Sequence, residues 1–158
     1  MRKQFANLLH KEMGEDENII VMTGDLGYGV WDKIKLDFPD RFYNTGSSEQ
    51  LMLGAAVGMA LEGKIPFVYS ITPFVLYRPF EFIRNYLDHE QIPVKLIGGG
   101  RDKDYGSLGF SHWAEEDSKV LSCFENIKQY RPQSEQDLSA MLKDLINNKK
   151  PSYINLIK

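Results

Sequence analysis

The chain has 158 residues, 42% hydrophobic and 26% charged, the profile of one soluble globular domain spanning 1–158 with a sizeable core. A formal net charge of −3 supplies no basic field for nucleic acid. The single cysteine, Cys123, excludes an internal disulfide, and His10, His89 and His112 show no metal-ligand spacing.

Phe5, Leu8, Leu9 and Met13 recur at helical spacing, and Gly14 is expected to end that helix. This start lacks the apolar centre of a signal peptide, and nothing later has the length of a membrane span, so a cytoplasmic location is the expectation. Ile19 to Thr23 reads as a buried strand. The glycine-rich turn Gly24 to Gly29 leads to a helix near Trp31 to Leu36, and Arg41 to Asn44 reads as a second short strand. A helix over Glu49 to Glu62 ends at Gly63, and Pro66 to Ser70 forms the next strand. One longer helix is expected after Pro73, because Phe74, Tyr77, Phe80, Ile83, Arg84 and Leu87 fall at three- and four-residue intervals. Val94 to Ile97 is a strand with an exit turn at Gly98-Gly99-Gly100. Ala114 to Leu121 reads as a helix whose start, Glu115-Glu116-Asp117, is expected to be solvated. Ile127 to Tyr130, Gln133 to Asn147 and Ser152 to Ile157 complete a strand, a helix and a strand.

This alternation predicts an α/β fold, a three-layer parallel sheet with helices on both faces. Ligands of such sheets lie beyond the carboxyl ends of the strands. The turns at Asp25, Ser70 to Phe74 and Gly98 to His112 would therefore share one face, joined by the loop before Glu49.

Glu49 precedes an apolar, small-residue run from Leu51 to Leu61. A helix apolar nearly all round is a buried helix. Burial would raise the pKa of Glu49 and suit it to acid/base chemistry. The competing reading is an exposed first-turn carboxylate answering the helix dipole. Gly54 and Gly58 mark a helix face open to close approach, either by the domain's own elements or by another subunit. The Gly24 to Gly29 spacing is wrong for a dinucleotide loop, and no phosphate-binding lysine follows. Phe74, Tyr77 and Phe80 read as core, with Phe74 at the mouth of a strand-to-helix turn. His112 lies in a polar, glycine-studded loop, where a structural or solvated histidine is the plainer reading.

Taken in order, several segments carry a resemblance. They are Gly24-Asp25-Leu26-Gly27, Phe38 to Gly46 running into Glu49-Gln50, Gly54 to Ala60, and Pro66 to Ser70. Arg78 to Asn85, Gly109-Phe110-Ser111-His112 and Glu116-Asp117 follow. The chain resembles the pyrimidine-binding domain of transketolase-type thiamine diphosphate enzymes, above all split forms in which separate chains supply the two cofactor domains. The resemblance implies the thiamin diphosphate-binding fold of the pyrimidine-domain type. It implies that Glu49 contacts the cofactor's aminopyrimidine and activates it, and that Phe74, with Tyr77 as the alternative, stacks on that ring. His112 would face the substrate's oxygens, and Asp25 would lie in an acidic turn near the cofactor.

The resemblance also implies thiamine diphosphate with Mg2+ held mainly by a diphosphate-binding partner subunit, in a heterotetramer acting on a small ketose or 2-oxo acid. The Gly-Asp-Gly and distant Asn that hold metal and diphosphate in the family are absent here, so no metal ligand is assigned. Leu108 stands where classical transketolases carry an aspartate, and Phe110-Ser111 replaces Pro-Thr, which puts the classical sugar specificity in doubt. The expected activity is transfer of a two-carbon ketol unit. A subunit of a 2-oxo acid decarboxylase or dehydrogenase, or a non-catalytic regulatory relative, is the alternative.

Overall fold

A computed structural model describes residues 1–158. Six strands form one all-parallel sheet: β1 Ile19–Thr23, β2 Phe42–Asn44, β3 Ile65–Ile71, β4 Lys95–Gly99, β5 Lys128–Tyr130 and β6 Ser152–Leu156. Their order across the sheet is β2-β1-β3-β4-β6-β5. The chain leaves β1 toward β2 on one side and returns to place β3 on the other, so the order reverses between β1 and β3. Such a switch point opens a crevice at the strand carboxyl ends.

The predicted three-layer architecture is the one found. Alternate residues of β1 point to opposite faces, as the two-residue period of a strand requires. Ile20 and Met22 join Val68, Leu96 and Tyr153 in one apolar cluster, while Ile19 and Val21 join Phe67, Ile97 and Ile154 in the other. Helix α1 (Arg2–Glu15) brings Phe5, Leu9 and Met13 to the second cluster, with α2 (Asp32–Asp37) and α7 (Glu135–Asn147) beside it. The first cluster is covered by α3 (Glu49–Leu61), α4 (Thr72–Tyr77) and α6 (Asp117–Leu121). Gly14 lies inside the last turn of α1, and the helix ends one residue later than expected.

The single long helix expected after Pro73 is broken. Helix α4 stops at Tyr77, a short α5 (Phe80–Phe82) restarts after Pro79, and Ile83–His89 continues as a π-helix. Pro79 has no N–H to donate and crowds the preceding turn, so the apolar periodicity runs through an interrupted backbone. Strand β4 extends through Gly98 and Gly99 rather than turning there. A Cβ on Gly98 would stand 2.6 Å from both the Thr72 and Tyr153 hydroxyl oxygens. Glycine keeps this strand while two polar side chains cross it.

Helix α3 is not buried all round. Met52, Leu53, Ala56, Val57 and Ala60 face the core, whereas Leu51 and Leu61 are 65% and 69% exposed and Gly58 lies between them on the open side. The two glycines consequently differ. A Cβ on Gly54 would stand 3.0 Å from the Phe82 ring of the same chain, and one on Gly58 would meet nothing. Gly54→Leu should lower the melting temperature, since overpacking costs roughly 1–3 kcal/mol. Gly58→Leu should leave it level or raise it, because glycine trails good helix formers by about 0.8–1 kcal/mol. Thermal melts of the two variants check this, and equal losses would contradict the assignment.

Candidate active site

Glu49 is the first residue of α3, and its 2% exposure places the carboxylate inside the crevice between β1 and β3. It is buried because the first turn of α3 points over the strand ends, not because the helix is enclosed. The Ser70 hydroxyl at the end of β3 donates to Glu49 Oε1 at 2.8 Å. Arg78 Nη1 donates to Oε2 at 2.7 Å. Both carboxylate oxygens are thus held as acceptors, one by a neutral donor and one by a cation. A Cβ on Gly24 would stand 3.1 Å from Oε1, so the glycine after β1 lets the backbone pass close beside the acid.

Phe74 sits in the first turn of α4, entered through Thr72-Pro73 at the end of β3. Proline suits that position because the first helical N–H groups lack intrahelical partners. Arg78 lies four residues on, where a helix brings side chains over one another. Its guanidinium carbon is 3.8 Å from the centre of the Phe74 ring, a cation–π stack. His112, half-buried in a short 3-10 turn, also meets the Phe74 ring, with ring centres 5.0 Å apart and planes inclined at 67°. Glu49, Arg78, Phe74 and His112 are therefore joined by one unbroken chain of contacts.

Tyr77 points elsewhere. Its ring packs against the apolar cluster under α3, and its buried hydroxyl has no hydrogen-bond partner. Burial, with the nearby Glu116 and Asp117, pushes its pKa up to about 12. Asp25 is exposed in the turn after β1, at a φ of 59°. Its carboxylate accepts from the Tyr28 hydroxyl at 2.7 Å and Asn44 Nδ2 at 3.0 Å, and these bonds, Tyr28 first, hold its pKa below the usual carboxylate value. Leu108 and Phe110 are exposed on the same loop as His112.

Three participants were not singled out from the sequence. Ser70 and Arg78 reach Glu49 across 21 and 29 residues of chain. Arg78 carried one local signal, its four-residue spacing from Phe74. Asp117, expected in solvent, is fully buried and accepts from Arg131 Nη1 at 2.8 Å and the Tyr153 hydroxyl at 3.2 Å. No cluster of three or more His, Cys, Asp or Glu side chains converges on a metal-sized site. No helix is long and apolar enough to cross a membrane.

Comparison with known proteins gives this geometry a context. The family described as "Transketolase, pyrimidine binding domain" matches residues 1–158. An apulose-4-phosphate transketolase subunit of Actinobacillus succinogenes is 33% identical over 120 residues, 76% of this chain and 39% of that protein. The 6-deoxy-6-sulfo-D-fructose transketolase subunit SqwH of Clostridium sp. (strain MSTE9) is 25% identical over 100% of this chain and 49% of its own. A solved structure titled "Split gene transketolase, inactive beta4 tetramer" superposes with a TM-score of 0.85 at 29% identity, covering 98% of this chain and 50% of that one. The transketolase of Campylobacter jejuni, at 19% identity and a TM-score of 0.89, shares the fold. The chain spans about half the length of the split relatives it matches. With a family match from end to end and the parallel sheet shared with solved transketolases, the chain belongs to the transketolase pyrimidine-binding domain family.

Proposed function

We propose that the chain is one subunit of a two-chain, thiamine diphosphate-dependent transketolase-like enzyme that transfers a two-carbon ketol unit. The observation that carries this reading is Glu49, buried at the switch point beside the face of Phe74. A planar, N–H-bearing group, the guanidinium of Arg78, already lies on that face and bonds to that carboxylate. The pair therefore fits an aminopyrimidine in size, planarity and donor chemistry. The chain's donor set does not fit Mg2+, and the diphosphate half of the site falls to a partner subunit, in a heterotetramer. When bound, thiamine diphosphate supplies the carbanion-stabilising chemistry of the reaction.

This chain's residues supply orientation and proton handling. Phe74 offers a flat apolar face that fixes the plane of a ring stacked on it. Glu49 Oε2 holds or exchanges a proton at the edge of that ring, while the Ser70 hydroxyl keeps Oε1 in place. Asp25, fixed by Asn44 and Tyr28, shapes the turn that passes the acid, and Tyr77 braces α4 from behind. His112, at the outer edge of Phe74, donates to a substrate carbonyl or hydroxyl oxygen. Relatives named for apulose 4-phosphate and 6-deoxy-6-sulfofructose support a ketose substrate, and exposed Leu108 supports a preference unlike that of classical transketolase.

The deciding experiment is calorimetry with thiamine diphosphate and Mg2+, on the chain alone and with its diphosphate-binding partner. Weak binding alone and micromolar binding in the mixture are expected, in line with the relative described as an inactive β4 tetramer. Micromolar binding by the chain alone would refute the split site. In the assembled enzyme, His112→Ala should keep cofactor affinity and lower ketose turnover about a hundredfold or more, the range of a general acid–base contribution. Loss of cofactor affinity in that variant would move His112 to the cofactor side.

A further inference from the structure

Arg78 is assigned no task of its own in the reading above, yet it makes both contacts that define the pyrimidine side of the site. Its Nη1 lies 2.7 Å from Glu49 Oε2, and its guanidinium carbon lies 3.8 Å from the Phe74 ring centre. A guanidinium is a planar, delocalised cation with N–H donors along its edge. A 4-aminopyrimidine is a planar ring whose amino N–H donates to a carboxylate as a guanidinium N–H does, while its ring nitrogen accepts from the carboxyl's protonated form. One aromatic face and one carboxylate recognise either group, but not both together. A ring stacked on Phe74 at ordinary contact would lie about 3.5–4.0 Å away, the place the guanidinium now fills.

We propose that Arg78 is an internal occupant of the pyrimidine subsite, and that a planar aminopyrimidine ligand enters by displacing its guanidinium. The proposal rests on the cofactor reading of Glu49 and Phe74. The fold makes the exchange feasible. The Arg78 side chain is 43% exposed while that of Glu49 is 1% exposed, so the cation has solvent to move into and the acid stays in place. Arg78 stands in the turn between α4 and α5, immediately before Pro79, rather than within a helix. Glu49 retains the Ser70 hydroxyl when Arg78 leaves, so its inner oxygen is never stripped of a donor. The ligand then inherits a preorganised acceptor and a ring face that the arginine has kept free of other groups. Apparent affinity falls in proportion to the fraction of molecules whose site is open. An occupant in place nine-tenths of the time would weaken a ligand about tenfold.

The test uses the isolated chain, as native protein and as Arg78→Ala, titrated by NMR with 4-amino-2-methylpyrimidine and with ethylguanidinium. The aminopyrimidine should bind Arg78→Ala about tenfold more tightly than the native chain. Ethylguanidinium should bind only the variant and shift the Phe74 ring signals toward their native positions. In the native chain, saturation with the aminopyrimidine should move the Arg78 Nε–H resonance to that of a solvent-exposed arginine. That measurement stands even if Arg78→Ala fails to fold. Equal affinity of the aminopyrimidine for both proteins, or an unmoved Arg78 resonance at saturation, would overturn the proposal and leave the cofactor reading intact. Absence of aminopyrimidine binding to either protein, with ethylguanidinium still seated in the variant, would instead overturn the cofactor reading.

Discussion

Glu49→Gln should slow thiazolium proton exchange in the assembled enzyme by about a hundredfold to a thousandfold, the usual loss when one preorganised polar catalytic contact is removed. The amide keeps the size of the side chain and can still accept from Ser70 through its oxygen. It cannot hold or release a proton as a carboxyl group does, and it cannot pair with the Arg78 guanidinium as an ion. Folding should survive, because Glu49 contributes its burial from the first turn of α3 and not from the middle of the core. The readout is exchange of the thiazolium C2 proton with deuterated water, followed by NMR with cofactor and partner subunit present. Circular dichroism and light scattering on the same samples should match the native protein. An exchange rate equal to that of the native enzyme would refute the role given to Glu49. A collapse of assembly would show a structural duty instead.

The fold was legible because its signals are local. Ile19 to Thr23, Val94 to Ile97 and Ser152 to Ile157 are mainly apolar or β-branched runs, interrupted by Lys95, Ser152 and Asn155 and separated by helical periodicity, and strands buried on both faces need no finer pattern. The misreadings have physical causes. Tyr77, Phe80, Ile83 and Leu87 of the Phe74-to-Leu87 periodicity do face one core cluster, but Phe74 and Arg84 lie outside it and Pro79 breaks the backbone that carries them. Gly98 and Gly99 look like turn residues because a strand seldom needs glycine unless side chains cross it, and Thr72, Tyr153 and Tyr69 are distant in sequence.

The site divides along the same line. Local pattern points to Glu49 before its apolar run and to Phe74 at a strand-to-helix turn, whereas the role of His112 comes only with the family resemblance. The burial of Glu49 was inferred from an enclosed helix, whereas Leu51 and Leu61 show that α3 keeps an open apolar side. Its partners Ser70 and Arg78 are products of tertiary folding, and no spacing rule connects them to residue 49.

Asp117→Ala should destabilise the chain more than the same change at its acidic neighbours Glu115 and Glu116. Asp117 sits among acidic neighbours in an ordinary-looking helix start, yet its side chain is completely buried. Its Oδ1 accepts from Arg131 Nη1 at 2.8 Å and the Ser118 hydroxyl at 3.2 Å, and its Oδ2 accepts from the Tyr153 hydroxyl at 3.2 Å. Asn155 Nδ2 in turn reaches the Tyr153 hydroxyl oxygen, the Thr72 hydroxyl oxygen and the Gly100 carbonyl, each at 3.1 Å. The network thus ties α6 and β6 to the residue that opens α4, two positions before Phe74. Truncating Asp117 leaves the buried Tyr153 hydroxyl without its acceptor and removes one acceptor of Arg131, which keeps the Ser118 hydroxyl oxygen at 2.7 Å. Leaving a buried polar group unsatisfied costs about 1–3 kcal/mol, or about 2–12 °C of melting temperature for a chain of this size. Asp117→Asn keeps an acceptor oxygen and the side chain's shape, so its loss should be clearly smaller. Amide exchange at Thr72, Phe74 and Val75 should accelerate in Asp117→Ala beyond the change at α1, because the site end of α4 loses its anchor while α1 does not. Melting of Asp117→Ala within 2 °C of the native chain, a threshold of roughly 1 kcal/mol, would show that the network contributes little. The start of α4 would then owe its position to apolar packing alone.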